Sequence, residues 1–359
     1  MNSKYIQRCF DLACLGNGRT SPNPSVGAVL VYKDRIIGEG WHQQYGGAHA
    51  EVNAVASVRP EHRALIAQST IYVSLEPCHH FGKTPPCVDL ILRERISKVV
   101  IAQMDPHDKV AGQSIQKLRA HGVEVIENVL VDEGLKLTRP FVKNIIWKKP
   151  YIILKWAESA DGFMGAPDKQ IWLSNALAKR LAHRWRSEVD AILVGSNTVL
   201  IDNPSLDNRF WYGKSPVRVV LDGQGRIGVD LNDSQKEKST LKILDDSIKT
   251  LIYSHIQHPL STTTNNKFSF KQTFFKTLSY SNPNELLEDL YREKIGIVLV
   301  EGGASVLNFF IKNNLWDEAR VFKTNKCLKT GVLAPKVTSK NPVERLQILD
   351  NQLHCYHNH

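Results

Sequence analysis

Hydrophobic residues along the first part of the chain follow two spacings, one typical of helices and the other typical of strands. Residues 3–15 carry apolar side chains three or four positions apart, which predicts an amphipathic helix. Residues 26–31 form a short apolar run, and a second run covers residues 36–41 beyond a turn at Lys33 and Asp34. Two such runs separated by a turn predict a β-hairpin.

The two spacings continue to alternate over the following hundred or so residues. In order, we predict a helix at 49–58, strands at 69–75 and 98–103, a helix at 112–121, a strand at 123–126 and a closing helix at 129–142. Alternation of this kind is typical of a layered α/β/α domain. Residues 141–150, which contain three lysines, are interpreted as the passage into a second domain.

The second half of the chain also alternates strand and helix patterns. These are a strand and turn at 151–162, an amphipathic helix at 172–186, strands at 190–195 and 295–300, and a helix at 304–311. The polar stretches 232–245 and 261–266 predict exposed loops, and the histidine-rich residues 354–359 are interpreted as an unstructured end. Because 359 residues are long for a single core, we predict an α/β chain of two domains, 1–145 and 146–359.

Composition and charge narrow the classes of partner. The net charge of +10 favours an anionic partner, either a phosphorylated small molecule or a nucleic acid. Basic residues are dispersed along the chain, which favours the small molecule. The six cysteines show no disulfide framework, so we expect the reducing cytoplasm. The sequence contains neither a signal-peptide pattern at its start nor a long apolar stretch, so we expect no membrane partner.

Three residues between positions 49 and 87 have side chains that bind zinc. His49 supplies an imidazole, while Cys78 and Cys87 supply two thiols. One nitrogen and two sulfurs leave one tetrahedral position of Zn²⁺ open for water, which distinguishes a catalytic zinc from a structural one. Glu51, two residues after His49, is then the candidate proton carrier. A closed structural site remains the alternative, because His79 or His80 would complete it.

The order of these residues follows the signature of zinc nucleobase deaminases, H-x-E followed by P-C-x-x-C. Here eight residues separate the two cysteines. With this long insert, residues 49–51 and 76–87 resemble the deaminase half of the bifunctional riboflavin-biosynthesis deaminase/reductase family. The resemblance implies an N-terminal domain with a cytidine-deaminase-like three-layer α/β/α fold, and residues 105–106 and 110–112 also resemble the family.

Other residues of the first half are candidates for binding substrate. Asn23 lies in a segment that resembles a base-contacting loop of the family, although a turn former is the alternative. Lys83 and Thr84 combine a cation with a hydroxyl near the predicted helix start at Pro85, which suits a phosphate group, with a solvated loop as the alternative. His42 follows the second predicted strand and is interpreted as a solvated loop histidine, with a position facing the pocket as the alternative.

Residues 151–162 resemble the start of the family's reductase domain, which has a dihydrofolate-reductase-like fold. Residues 197–206 are among its most recognisable segments. Gly302 and Gly303 stand between a predicted strand and a predicted helix, so their backbone amides would suit a phosphate of a dinucleotide. Taken alone, two glycines at this position are more often a tight turn.

The resemblance also implies which residues serve the reductase reaction. The NADPH site would contain Ala157, Trp172, Thr198, Asp202, Gly303, Ala304, Ser305, Val306, Leu307, Asn308 and Phe309. The substrate site would contain Arg186, Leu206, Arg209 and Glu301. Surface ion pairing is the alternative role for the two arginines. The chain departs from the family pattern at Glu158, Ala160 and Gly223, and we expect these departures to affect cofactor affinity or selectivity.

The sequence therefore predicts a bifunctional enzyme that uses Zn²⁺ and NADPH. It would deaminate 2,5-diamino-6-(5-phosphoribosylamino)pyrimidin-4(3H)-one and then reduce the ribosyl group of 5-amino-6-(5-phosphoribosylamino)uracil to ribityl. The expected partner is this phosphorylated pyrimidine, with no nucleic acid, and a homo-oligomer is compatible with the sequence. The rival hypothesis is a nucleic-acid-editing zinc deaminase with an accessory binding domain. A scaffold that holds a structural zinc ion without catalysis is a third.

Overall fold

The computed structural model describes residues 2–82, 84–106, 112–228, 241–257, 271–278, 283–337 and 341–358. The chain divides into two compact units, Met1–Lys148 and Lys149–His359. Both units combine helices with a sheet, so the predicted α/β class is confirmed. Among the described residues, no helix is both long enough and apolar enough to span a membrane.

The first unit is a five-stranded sheet with helices on both faces. Its elements are α1 (Asn2–Cys14), β1 (Gly27–Tyr32), β2 (Arg35–Trp41), α2 (Ala50–Ala56), a 3₁₀ segment (Pro60–Gln68), β3 (Thr70–Val73), α3 (Cys87–Arg93), β4 (Lys98–Ile101), α4 (Gln113–Ala120), β5 (Glu124–Ile126) and α5 (Val131–Trp147). The strand order is β2-β1-β3-β4-β5, with β3, β4 and β5 parallel and the β1 pairings antiparallel.

Alternating side chains of the strands divide the core of the first unit into two layers. On one face, Ala28 and Leu30 of β1 pack with helices α2, α3 and α4. On the other face, Val29 and Val31 pack with α1, and Leu137 of α5 joins the same cluster. This period of two is what a pleated strand buried on both faces requires. The predicted three-layer arrangement is confirmed.

Residues 141–150 were interpreted as the passage into a second domain, and the division between the two compact units, at Lys148 and Lys149, falls within them, although most of the segment is helical. Helix α5 continues to Trp147 and contains Pro140 in its interior. The lysines gave the segment the composition of a linker, whereas Phe141 and Ile145, four residues apart on one helix face, line a cavity of the first unit. The helix end is therefore part of a site.

The second unit is built on a nine-stranded sheet and a two-stranded one. Its elements are β6 (Tyr151–Glu158), β7 (Phe163–Gly165), α6 (Ala176–Glu188), β8 (Ala191–Gly195), α7 (Ser196–Asp202), β9 (Val217–Leu221), a 3₁₀ turn (Lys242–Leu244), β10 (Thr250–Ser254), β11 (Thr273–Thr277), α8 (Asn284–Arg292), β12 (Ile297–Gly302), α9 (Ala304–Lys312), β13 (Glu318–Lys323), β14 (Val332–Leu333), β15 (Glu344–Ile348) and β16 (Asn351–His357). The order in the large sheet is β11-β10-β9-β8-β12-β6-β13-β16-β15.

Seven neighbouring strands of this sheet, from β11 to β13, run parallel. Strand β12 inserts between β8 and β6, so the chain reverses its direction of progress across the sheet at this point. Helices α8 and α9 pack on one face, and α6 and α7 pack on the other. Ligands of open parallel sheets bind at the carboxyl ends of the strands beside such a switch point.

The prediction of an unstructured end at residues 354–359 is wrong up to His357. Strand β16 pairs antiparallel with β13 and β15, and His354, Cys355 and Tyr356 are buried. Pairing within the sheet outweighs the polar composition, because Leu353 and Cys355 face one core cluster and Tyr356 faces another. His359 lies outside the described residues.

The two polar stretches that predicted exposed loops lie largely outside the described residues, which omit 229–240 and 258–270. Within the part that is described, Ile243 and Leu244 are buried in a core cluster with Val199 of α7. The exposed-loop prediction is therefore wrong at these two positions. Charged neighbours give this segment a polar composition, although Ile243 and Leu244 are apolar and buried.

Candidate active sites

Helix α2 carries the first part of the candidate metal site, and it packs unusually close to strand β2. A Cβ atom at Gly40 would lie 2.2 Å from the backbone nitrogen of Ala54, so no side chain fits between the two elements. Asn53 donates from its amide to the carbonyl oxygens of Trp41, at 2.8 Å, and Ala48, at 3.3 Å. These contacts fix the loop that precedes helix α2. That loop ends at His49.

His49, Cys78 and Cys87 come together as predicted. The Nδ1 atom of His49 lies 3.4 Å from the sulfur of Cys78 and 3.3 Å from that of Cys87. The three ligand atoms all lie within 4.8 Å of one another, and among the described residues no fourth His, Cys, Asp or Glu joins them. One nitrogen and two sulfurs with an open corner fit a catalytic zinc ion and disfavour a closed structural site.

The electrostatics of the two cysteines also suit a cation. The backbone amide of Cys87 donates to the sulfur of Cys78 at 3.3 Å. The pKa of Cys78 is lowered to about 4, chiefly by the hydrogen bond from the Cys87 thiol, which outweighs burial. The pKa of Cys87 is raised for the same reason, because its proton is held between the two sulfurs. A thiolate beside a neutral thiol is the state from which a metal displaces the last proton.

Glu51 lies in the first turn of α2 and is 3 % exposed. Burial raises the pKa of its carboxyl group, and the Cys78 sulfur raises it further, while a hydrogen bond with Cys87 acts in the opposite direction. A buried carboxyl group with a raised pKa, next to the ligand atoms, is suited to accept and return a proton.

A cavity of about 340 Å³ opens beside the metal ligands and Glu51. Polar side chains of its wall are those of Asn23, His42, Glu76, His80, Thr84 and Asp105. This volume is at the lower end of the range for small-molecule sites. Five residues predicted for the deaminase reaction therefore line one space, namely Asn23, His49, Glu51, Cys78 and Thr84, whereas Lys83 lies outside the described residues.

The interpretation of His42 as a solvated histidine is wrong, because its ring is 3 % exposed and lines the cavity. Its Nδ1 lies 3.0 Å from the carbonyl oxygen of Ala48, so Nδ1 carries the proton. Nε2 is then the acceptor for the amide of Asn23 at 3.3 Å. Burial lowers the pKa of His42, which favours this neutral form.

Thr84 lies next to a metal ligand. Its Oγ1 is 3.4 Å from Nε2 of His49, the ring nitrogen that faces away from the sulfurs. A metal-binding histidine commonly donates its second N–H to an oxygen, and this contact orients the ring. Thr84 is thus placed to hold His49 as well as to face the cavity.

Glu76 was missed as a site residue by sequence reasoning. Its Oε2 accepts hydrogen bonds from the backbone amides of Asp105 and Gly112, both at 3.1 Å, and the side chain is buried. The carboxylate thereby holds the Asp105 segment against the cavity. The available signal was its position immediately before the Pro77-Cys78 pair of the motif.

In the second unit, the carboxyl ends of β8 and β12 bring Thr198 next to the paired glycines. Gly303 has a φ angle of +72°, a conformation that favours glycine, and a Cβ there would lie 3.4 Å from Oγ1 of Thr198. At Gly302 the corresponding distance is 3.3 Å. Backbone amides at a strand end that starts a helix, with no side chain above them, are suited to form a phosphate cradle.

The other residues predicted for the NADPH site differ in accessibility. Asp202 ends α7, and burial raises the pKa of its carboxyl group. Trp172 is 55 % exposed, with the Lys179 ammonium 4.5 Å from its ring centre. Leu307 is fully buried in the core beneath α9, so its side chain packs inward. Five further predicted residues are half-buried, namely Ala157, Ala304, Val306, Asn308 and Phe309, and Ser305 is exposed.

Two residues predicted to meet substrate, Arg186 and Glu301, form a buried ion pair. Nε and Nη2 of Arg186 donate to the two carboxylate oxygens of Glu301 at 2.8 and 2.9 Å. Nη1 donates to the carbonyl oxygen of Asp207 at 2.9 Å, and the Lys155 ammonium lies 3.6 Å from Glu301. Burial alone would raise the pKa of Glu301, but the charges of Arg186 and Lys155 lower it to about 2.

This ion pair predicts a pH dependence of stability. The pKa of Glu301 falls from 4.5 to about 2 on folding, so its contribution is complete above pH 4.5 and disappears as the pH falls towards 2. Glu301→Gln leaves Arg186 without its carboxylate and is expected to cost about 3–5 kcal/mol at neutral pH. Urea unfolding between pH 7 and 3, followed by tryptophan fluorescence, measures both effects.

The matched control is Glu188→Gln, because Glu188 pairs with Arg184 on the surface of α6. We expect this change to cost less than about 1 kcal/mol. If the Glu301→Gln variant and the unaltered protein lose stability equally between pH 4.5 and 3, the inferred role of the ion pair is wrong.

The remaining predicted substrate residues lie on the segment that Arg186 holds through Asp207. Leu206 is 3 % exposed, so its side chain belongs to the core, and the backbone amide of Arg209 donates to Nδ1 of His183 at 3.3 Å. The Arg209 guanidinium is exposed and pairs with Asp207. His183 was not predicted. Its pKa is lowered to about 4 by burial and by Arg186, so it remains a neutral acceptor.

The three departures from the family pattern have local partners. Glu158 accepts from the indole of Trp156 at 3.1 Å and pairs with Lys323 at 2.8 Å. The amide of Ala160 donates to the carbonyl oxygen of Lys326 at 2.8 Å. At Gly223 a Cβ would lie 3.0 Å from the His255 ring, so a larger residue would require that ring to shift.

The fold and the sites define a two-part enzyme, a zinc deaminase unit followed by a reductase unit. The family model described as the cytidine and deoxycytidylate deaminase zinc-binding region matches residues 1–103. The model described as the RibD C-terminal domain matches residues 150–343. The chain belongs to the RibD family of bifunctional riboflavin-biosynthesis deaminase/reductases.

Individual relatives agree with this assignment over nearly the whole chain. The riboflavin biosynthesis protein RibD of Aquifex aeolicus is 32% identical over 351 residues, which cover 97% of this chain and 94% of the relative. The RibD of Bacillus amyloliquefaciens is 36% identical over 341 residues, covering 94% of this chain and 88% of the relative.

Solved structures give the same result. A diaminohydroxyphosphoribosylaminopyrimidine deaminase/5-amino-6-(5-phosphoribosylamino)uracil reductase of Thermotoga maritima matches with a TM-score of 0.84 and 33% identity, covering 99% of this chain and 97% of that chain. RibD of Acinetobacter baumannii matches with a TM-score of 0.82 and 28% identity, covering 99% and 98%. The predicted family, both enzyme activities and the two cofactors are thereby confirmed.

Proposed function

We propose that the chain catalyses two consecutive steps on one phosphorylated pyrimidine. The first unit deaminates 2,5-diamino-6-(5-phosphoribosylamino)pyrimidin-4(3H)-one. The second unit reduces the ribosyl group of 5-amino-6-(5-phosphoribosylamino)uracil to ribityl with NADPH. The observation that carries the proposal is the three-ligand cluster with buried Glu51 at the wall of a cavity.

In the first step, Glu51 moves protons and the cavity orients the base. His49, Cys78 and Cys87 would hold the zinc ion, which would supply an activated water at neutral pH. The Glu51 carboxylate is placed to hold a proton and to return it to the amino group that leaves as ammonia. Burial raises the pKa of Glu51, which makes its carboxylate a stronger base for this exchange.

Side chains of the cavity wall give the deaminase its substrate contacts. The amide nitrogen of Asn23 is used by His42, so the Asn23 oxygen is the atom left to accept from a base or ribose. Thr84 holds the imidazole of His49 through Nε2. Together with Lys83, Thr84 is proposed to bind the substrate phosphate.

In the second step, the residues of the reductase unit position a cofactor and a ring-opened sugar. The cofactor NADPH would supply the hydride. The Gly303 segment and Thr198 would hold its phosphates, with Ala157, Trp172 and Asp202 as the other proposed cofactor residues. The Arg186–Glu301 pair and Arg209 would offer charged groups to the ribose and its phosphate, and the buried Leu206 lies on the same segment as Arg209.

The more general prediction, that the protein is an enzyme acting on a small phosphorylated pyrimidine, agrees with both family assignments. The nucleic-acid-editing alternative is not favoured by them. All six cysteines are described and none forms a disulfide, and a cytoplasmic location stays a proposal. Oligomeric state and binding of nucleic acid stay predictions.

A coupled assay tests the proposal. With the diamino substrate, zinc-loaded protein and NADPH, we expect ammonia and oxidised NADPH to form in equal amounts, with ammonia first. With the deaminated pyrimidine, NADPH oxidation alone is expected. Ammonia release from tRNA but not from the pyrimidine nucleotide would contradict the proposal and support the rival hypothesis.

A further inference from the structure

The segment after helix α7 carries two of the predicted substrate residues, Leu206 and Arg209. Leu206 has a φ angle of +50°, which a residue with a β-carbon rarely adopts, and its side chain is buried in a core cluster. Such a backbone conformation persists only where the surrounding structure enforces it, and it is common at ligand-binding sites. The contacts of this segment therefore determine where the exposed guanidinium of Arg209 lies.

Helix α6 holds the segment with two side chains that lie one turn apart. Nη1 of Arg186 donates to the carbonyl oxygen of Asp207 at 2.9 Å. Nδ1 of His183 accepts from the backbone amide of Arg209 at 3.3 Å. Side chains three positions apart lie on the same face of a helix. The two contacts together fix the backbone on both sides of Asn208.

The imidazole of His183 also supports the side chain next to Arg209. Its ring meets the ring of Phe210 edge to face, with the ring centres 4.8 Å apart. The Arg209 guanidinium lies 5.2 Å from the centre of the same Phe210 ring. His183 therefore reaches Arg209 in two ways, directly through its backbone amide and indirectly through Phe210.

His183 is suited to serve as a hydrogen-bond acceptor at neutral pH. Its side chain is 2 % exposed. Burial lowers its pKa to about 4, and the charges of Arg186 and Arg209 act in the same direction, whereas Glu301 and Asp207 oppose them. In the neutral ring Nδ1 accepts and the proton resides on Nε2. A protonated ring would have no lone pair for the Arg209 amide.

We propose that His183 is a positioning residue of the reductase site and holds Arg209 where its guanidinium binds the phosphate of the pyrimidine substrate. The inference rests on the proposed function, because it requires Arg209 to meet that phosphate. His183 acts through Arg209 and not on the reacting atoms. Its loss should therefore weaken binding of the phosphorylated substrate and leave the rate at saturation unchanged.

Steady-state NADPH oxidation by the full-length protein tests this role, with the deaminated pyrimidine nucleotide and with the nucleoside that lacks its phosphate. His183→Leu removes the acceptor and is expected to raise the KM for the nucleotide by about 3- to 10-fold. The kcat, the KM for NADPH and the KM for the nucleoside should stay the same. His183→Asn, whose side-chain oxygen can take the place of Nδ1, is expected to restore most of the affinity.

A double-variant cycle separates this role from a general loss of stability. Arg209→Ala alone is expected to raise the KM for the nucleotide by about 10- to 100-fold. Adding His183→Leu should cause no further loss, because both changes remove one contact. His354→Leu is the matched control, since His354 is also a buried histidine of the second unit, on β16. It should leave every KM as it was.

Each outcome identifies which level of the argument fails. Equal losses for nucleotide and nucleoside, additive losses in the double variant, or no loss with His183→Leu would each overturn the inference. If Arg209→Ala leaves the KM for the nucleotide unchanged, Arg209 does not bind the phosphate and that part of the proposed function fails instead. Should His183→Leu not fold, His183→Gln, whose oxygen lies one bond further out than that of asparagine, takes its place in the cycle.

Discussion

Glu51→Gln is expected to abolish ammonia release while zinc stays bound. The amide keeps the size of the side chain and one acceptor oxygen, but it cannot take a proton. General acid–base groups contribute roughly 10²- to 10⁴-fold to rate, so we expect kcat to fall by at least about 100-fold. Because Glu51 is not a metal ligand, the zinc content measured by atomic absorption should be unchanged.

The reductase reaction offers an internal control for this variant. NADPH oxidation with the deaminated pyrimidine should proceed at the original rate, since it depends on the second unit. Glu61→Gln, a change of an acidic residue in the first turn of the 3₁₀ segment, should leave both activities intact. A Glu51→Gln protein that binds zinc and releases ammonia at the original rate would remove Glu51 from the mechanism.

The metal site was predictable from sequence because its residues lie at fixed places on regular elements. His49 and Glu51 are two residues apart at the start of one helix, and Cys87 begins another. Ligand chemistry then restricts the interpretation, since an imidazole and two thiols suit few purposes other than zinc. The short spacing of these residues and their specific ligand chemistry together are enough to predict a three-dimensional site.

The wall of the cavity was not predictable in the same way. His42 contacts Asn23 and Ala48 in its buried position, and the two residues that follow it, Gln43 and Gln44, are polar. Glu76 acts through amides 29 and 36 residues further along the chain. Such roles arise from packing between residues that are distant in sequence, and this packing produces no periodic pattern in the sequence.

The reductase unit shows a related limit. The resemblance named both Arg186 and Glu301 but not their direct pairing, which joins residues 115 positions apart. The prediction for the end of the chain was wrong because it relied on local composition. Its histidines and Asn358 suggested a loose tail, whereas β16 completes the sheet by pairing with β13. Strand pairing is decided by the partner as much as by the strand itself.

Gly303→Val is expected to abolish NADPH binding and with it the second step. Valine at a φ of +72° is strained, because the β-carbon crowds the backbone in this region. The new side chain would also stand against the Thr198 hydroxyl, in the space that a phosphate needs. We expect the Kd for NADPH to rise by more than about 100-fold in calorimetry, with ammonia release unchanged.

Gly122→Val separates the loss of the cradle from the cost of the backbone conformation. Gly122 also has a positive φ, +80°, and no atom lies within 4 Å of its added Cβ, but it belongs to the deaminase unit. This control should lower stability through strain alone and leave NADPH affinity as it was. Gly303→Ala, with a smaller side chain, should fall between the two. Undiminished NADPH binding by Gly303→Val would show that the paired glycines form a turn and not a phosphate site.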